Sequence, residues 1–132
     1  MKITEVSKRF DISTDTLRYY ERIGLIPQVN RNKSGIRDYT EEDMRWVEFA
    51  KCMRSAGLQV ESLIEYVALF QQGDATAEAR KQILIEQRDQ LAARLKEIST
   101  TVERLTYKID SYDKLREAEK NLVITENGNG EK

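Results

Sequence analysis

The chain has no histidine, a single cysteine and a single proline in 132 residues. Without histidine it lacks the commonest acid–base side chain near neutral pH, and no nucleophile–base constellation can be placed from the sequence, so it does not read as an enzyme. One cysteine cannot form an intrachain disulfide, and with no histidine beside it a transition-metal site within one chain is disfavoured; only a site bridging two copies escapes that argument. No cofactor is expected. No window approaches the run of about 18 apolar residues that a membrane span needs. Met1 leads directly into an amphipathic segment rather than a basic-then-apolar leader, so a cytoplasmic location is expected.

What is present is charge and helical periodicity: 34% of residues are charged and 39% hydrophobic. The length suits one modest core, or a small head followed by an extended element, but not two full-sized domains. The net charge of −1 argues against a uniformly basic coat. Residues 1–39 nevertheless hold eight basic side chains against five acidic ones, and the remainder is net acidic. A basic head on an acidic body is compatible with one nucleic-acid face.

Ile3, Val6 and Phe10 fall at helical spacing before Asp11-Ile12-Ser13 interrupts them. Ser13 is a good N-cap for a second short helix that carries Leu17 and Tyr20 inward and stops at Gly24. Two short helices joined by about three residues form a helix-turn-helix signature. Residues 28–39 hold a polar cluster with Lys33-Ser34-Gly35 at its tip, and they predict a small hairpin, or wing, with a return strand near Ile36 to Tyr39. Thr40, followed by three acidic residues, caps a third helix ending at Gly57, and a fourth ends near Gln71. The expected fold is mainly α: a winged helix-turn-helix head over residues 1–75, with two further helices in 41–71, then a long dimerisation helix over 76–120 forming a two-stranded coiled coil. A flexible tail is expected over 121–132.

The long helix contains no proline or glycine from Thr76 to Glu119. Leu84, Leu91, Ile98, Leu105 and Tyr112 occupy d positions, and Arg88, Leu95, Val102 and Ile109 occupy a positions, a 4-3 repeat over about four heptads. A single helix cannot bury such a seam, so a homodimer is expected. Strand direction is not readable from the repeat.

The runs TLRYYERIGLIP (Thr16 to Pro27), SGIRDYTEED (Ser34 to Asp43) and MRSAGLQVESL (Met53 to Leu63) resemble the head of MerR-type transcription regulators. The resemblance is close over about residues 1–75 and extends to the long helix in layout only. It implies that promoter double-stranded DNA is the partner and that an antiparallel coiled coil joins two copies. It also implies activation by bending and untwisting a promoter with an over-long spacer, so that RNA polymerase can use both of its elements. A recognition helix offers its N-terminal half to the major groove, which makes Thr14, Thr16 and Arg18 candidates for base or phosphate contact. Tyr19 and Tyr20 point about 100° apart. Tyr19 reads as outward and Tyr20 as a core aromatic whose hydroxyl could reach a phosphate, and the resemblance places at least one of them at DNA. Lys33, Arg37 and Tyr39 of the wing are the expected backbone contacts, which position more than they specify; a solvated loop lysine is an equal reading of Lys33.

Within the family, metal-sensing members carry cysteines near the end of the long helix and drug-sensing members append a large domain; neither pattern is found after Cys52. The chain instead resembles the short, single-cysteine NmlR/AdhR-like branch that responds to aldehydes or other electrophiles, with Cys52 of KCMRSAG at the matching position. A thiolate can add reversibly to a carbonyl without any metal. The competing reading is that Cys52 is a small buried hydrophobe, in a regulator with some other effector. A third reading, from another class, is a coiled-coil adaptor without DNA function. On a helical wheel Cys52 falls on the rim of the apolar face of Trp46, Phe49, Ala50 and Met53. Lys51 and Arg54 point about 100° and 160° away from it, so activation of the thiol by its sequence neighbours is not expected.

Overall fold

Local signals at the helix ends account for most of the architecture. In the computed structural model, which describes residues 1–130 and the side chains of 1–122, Ile3–Phe10 forms α1 and Thr14–Ile23 forms α2. The break between them is Asp11, in the left-handed region at φ 53°. Short polar side chains tolerate that region best after glycine. The Ser13 hydroxyl then accepts the Thr16 amide at 3.0 Å, satisfying one of the donors that a helix start leaves unpaired. Gly24, at φ 83°, ends α2, and the Leu25 amide bonds back to the Tyr20 carbonyl at 2.8 Å.

The third helix, α3, spans Glu41–Ser55 and starts in a full capping box: Thr40 Oγ1 accepts the Asp43 amide while the Asp43 carboxylate accepts the Thr40 amide. The fourth, α4, spans Val60–Gln71. A short 3-10 turn, Asp74–Thr76, leads into α5, Ala77–Gly130. This last helix runs past the end expected near residue 120, and the rest of the expected tail lies outside the described residues. No helix among the described residues is long and apolar enough to cross a membrane.

The wing departs from the expected hairpin. Among the described residues it contains one isolated antiparallel bridge, Arg31 to Arg37, and no strand. The reason lies in where its amides go. The Asn32 side chain accepts the amides of Ser34 and Ile36 at 2.9 and 3.1 Å, closing the tip by side-chain bonds. The Tyr39 amide, which points away from the other arm of the wing, bonds to the Met1 carbonyl, and the Met1 ammonium reaches Asp38 Oδ1 at 2.8 Å. Two backbone bonds flank the bridge, from the Asn32 amide to the Ile36 carbonyl and from the Asp38 amide to the Asn30 carbonyl, both at 2.8 Å. The next amide in register, that of Thr40, goes to the Asp43 carboxylate at the start of α3, so the ladder ends there.

Met1–Leu91 forms one compact unit and Ala92–Lys132 a second. The first is built on Val6, Leu17, Leu25, Ile26, Tyr39 and Val47, all nearly sealed from solvent. It reaches beyond the expected boundary at residue 75 because the first turns of α5 belong to it. Gln87 is buried and donates to Ser62 Oγ at 3.1 Å, and Leu91 packs on the core. In the second unit every described side chain is exposed.

Candidate nucleic-acid interface and thiol

The N-terminal half of α2 forms a small polar platform. Arg18 Nη1 lies 3.1 Å from Asp15 Oδ1 and 3.4 Å from Thr14 Oγ1, and the Thr16 hydroxyl accepts from Ser13 at 2.8 Å. The arginine is thus extended along the helix by a highly exposed partner. A pair of this kind contributes at most about 1 kcal/mol and yields readily to a stronger anion. Leu17, between these residues, is completely buried and sets the face that remains outside.

The two tyrosines separate as their spacing predicts. Tyr19 is 44% exposed, and the Arg22 guanidinium stacks on its ring at 5.4 Å. Tyr20 is half-buried and packs on the core. Burial pushes its hydroxyl above the ordinary phenol range, against a smaller opposing pull from Arg54.

Tyr39 requires a correction. It was expected to grip DNA from the wing, yet the whole residue is 2% exposed and belongs to the core. The Met1–Tyr39 backbone bond turns this end of the wing inward and carries the ring with it. Its hydroxyl has no hydrogen-bond partner among the described residues. Burial, and then the Glu21 carboxylate, raises it above the usual phenol range.

Lys33 stands exposed at the wing tip. Arg31, which sequence reasoning passed over, braces that tip by donating to the Gly35 carbonyl at 2.8 Å. Arg37 does not stand free. Its Nε donates to Glu21 Oε1 at 2.7 Å, both side chains being largely shielded, at 21% and 12% exposure. This ion pair joins the wing to the last turn of α2. Glu21 was also missed: it lies 16 residues from its partner, and only its presence in the run RYYE singled it out.

Cys52 is free and exposed. Its charged sequence neighbours are engaged elsewhere: Lys51 Nζ donates to the Phe10 carbonyl, and Arg54 Nη1 to the Leu58 carbonyl at 2.6 Å. Lys51 thus serves a carbonyl at the C-terminus of α1, where positive charge is favourable, and Arg54 one in the loop between α3 and α4. The apolar side of the same helix carries an aromatic cluster in which Trp46 meets Phe49, Tyr66 and Phe70 with centroids 5.0 to 6.1 Å apart.

Of the expected dimerisation residues, Leu95, Ile98, Val102, Leu105, Ile109 and Tyr112 are between 54% and 67% exposed. Leu84 is less so, and Arg88 pairs with its neighbour Asp89 at 3.0 Å. Leu91 is the exception, half-buried against the head's core.

Known proteins share this layout. The family described as "MerR HTH family regulatory protein" matches residues 1–69, and the one described as "MerR, DNA binding" matches 44–107. The transcriptional regulator AdhR of Bacillus subtilis (strain 168) is 60% identical over 91 residues, which cover 69% of this chain and 65% of that regulator, just under two thirds of its length. The crystal structure of a proposed MerR family regulator from Listeria monocytogenes superimposes with a TM-score of 0.84 at 49% identity, over 86% of each chain. HiNmlR, a MerR family regulator lacking the sensor domain and crystallised bound to promoter DNA, superimposes with a TM-score of 0.77 at 26% identity, over 86% of this chain and 90% of its own. This chain belongs to the MerR family of helix-turn-helix regulatory proteins.

Proposed function

We propose that this regulator binds promoter DNA as a homodimer, activates transcription by distorting the promoter for RNA polymerase, and is switched by small electrophiles such as aldehydes at Cys52. The DNA-binding part rests above all on the platform of half-buried Thr14 and Thr16 and exposed Arg18 on α2, beside a wing carrying Lys33 and Arg37. The likeness to HiNmlR, itself bound to promoter DNA, supports the same use of the head. The second unit supports the dimer, because six apolar or aromatic seam side chains at heptad spacing stand in water. Protein contacts would then offset a bending cost of roughly 1–6 kcal/mol.

The switch rests on the exposure of Cys52. A sealed thiol would favour the packing role, and this one is open to a small molecule. Addition of its thiolate to an aldehyde carbon forms one C–S bond, and the resulting alkoxide takes a proton to give a hemithioacetal. Nothing is oxidised and nothing leaves, so the signal reverses when the aldehyde falls. Lys51 and Arg54 take no part in activating the sulfur. Run-off transcription from the bound promoter, with and without a small aldehyde, tests the proposal. Wild type is expected to be induced, whereas Cys52→Ala keeps DNA binding and loses induction. Equal induction of both proteins would return Cys52 to packing.

A further inference from the structure

The sequence marks Arg37 as a wing cation for the DNA backbone, but its geometry gives it a second task. The Nε edge of the guanidinium is held by Glu21 at 2.7 Å, with both side chains largely shielded from water. Among the described residues its terminal nitrogens make no hydrogen bond, so the fork remains available on its other edge. Glu21 sits on the last turn of α2, three residues after Arg18. That turn is pinned by Gly24 and by the buried Leu25. Arg37 sits on the return segment of a wing with almost no ladder of its own, just ahead of Tyr39, which anchors in the core. Met1 and the buried Tyr39 fix the base of the wing to the head, and the Glu21 pair ties Arg37 itself to the recognition helix.

We infer that Glu21 is a positioning residue for DNA binding: its carboxylate holds the Arg37 guanidinium, and through it the wing, at a set distance from the Thr14–Arg18 platform. Arg37 thereby presents its free edge to a phosphate with its orientation already determined. The inference rests on the proposed DNA-binding reading. It also makes an unusual demand. Glu21 contributes a negative charge close to a surface that meets phosphates, so on Coulombic grounds alone its removal strengthens binding. A positioning role reverses that sign, because an arginine fork already held in place loses less freedom when it binds.

The experiment uses the full chain and a duplex that the wild type selects from random-sequence DNA, with affinity measured at fixed salt and thermal melting recorded for each variant. Glu21→Ala is expected to bind about tenfold more weakly, the scale of one hydrogen bond to a charged group. Glu21→Gln, which keeps an acceptor oxygen for Nε–H, recovers most of that loss. Arg37→Ala also weakens binding, and Glu21→Ala/Arg37→Ala is no weaker than Arg37→Ala alone, since the carboxylate acts only through the arginine. Wild-type or tighter binding by Glu21→Ala overturns the inference, as do additive losses in the double variant or a loss no larger than the unfolded fraction seen on melting. Failure of the wild type to select any duplex removes the DNA-binding reading itself, an outcome distinct from all of these.

Discussion

The two units of the chain use similar apolar side chains under opposite conditions. In Met1–Leu91, Val6, Leu17 and Val47 are sealed from water. In Ala92–Lys132, Ile98, Val102 and Leu105 are each more than half exposed although the backbone around them is regular helix. The helix of the second unit satisfies its own backbone hydrogen bonds, so its local structure needs no core, while its heptad seam needs a surface that one copy of that unit does not supply. The head is the reverse case. Its helices of 8 to 15 residues are too short to be stable alone in water, and their caps and shared core must act together.

The contrast breaks most severely at the seam. Ile98→Asp/Leu105→Asp is expected to convert the protein to a monomer by analytical ultracentrifugation, while the melting of the head is preserved. Four apolar side chains per dimer at about 1.5 kcal/mol each amount to ~6 kcal/mol, a weakening of about 10⁴-fold. A variant that remains dimeric would mean that the exposed heptads are not what holds two copies together.

The complementary change lies in the head. Leu17→Ala opens a cavity beside fully buried neighbours and is expected to cost about 2–5 kcal/mol of stability, measured by urea unfolding. The same substitution at Leu105, more than half exposed in a single copy, should leave that transition where it is and change association alone. Equal effects of the two on head unfolding would contradict the division of the chain into two differently stabilised units.

How much of this could be read from residues alone depends on the range of the interaction. Ser13, Gly24 and the Thr40–Asp43 box are legible because a cap and the helix end it serves lie within a few residues. The heptads are legible because the period is carried along one element. The helical wheel excludes Lys51 and Arg54 as activators of Cys52, but it does not say that their partners are the carbonyls of Phe10 and Leu58. The Glu21–Arg37 pair is of the same kind, since its ends meet only once the loop from Gly24 to Arg37 has taken its path. The anchoring of Tyr39 is likewise hidden, since its amide meets the carbonyl of Met1, 38 residues earlier in the chain.

Tyr39 offers the finest test of the head's side of the comparison, because it is a polar residue treated as a core one. Its buried hydroxyl has no partner among the described residues, and such a group is costly where it is not hydrogen-bonded. Tyr39→Phe should therefore be neutral, or about 1 kcal/mol more stable, at pH 7. Alkaline pH separates the two proteins further. The folded hydroxyl is raised above the unfolded value of about 10, so the unfolded chain releases its proton first as pH rises. The stability this group contributes is complete below that unfolded value and is lost as pH climbs through the folded one. Tyr20 is raised in the same direction and persists in the variant, so alkaline unfolding of Tyr39→Phe becomes shallower without disappearing. Operator affinity is expected to be unchanged; a tenfold loss with undiminished stability would place the hydroxyl at DNA after all and undo its assignment to the core.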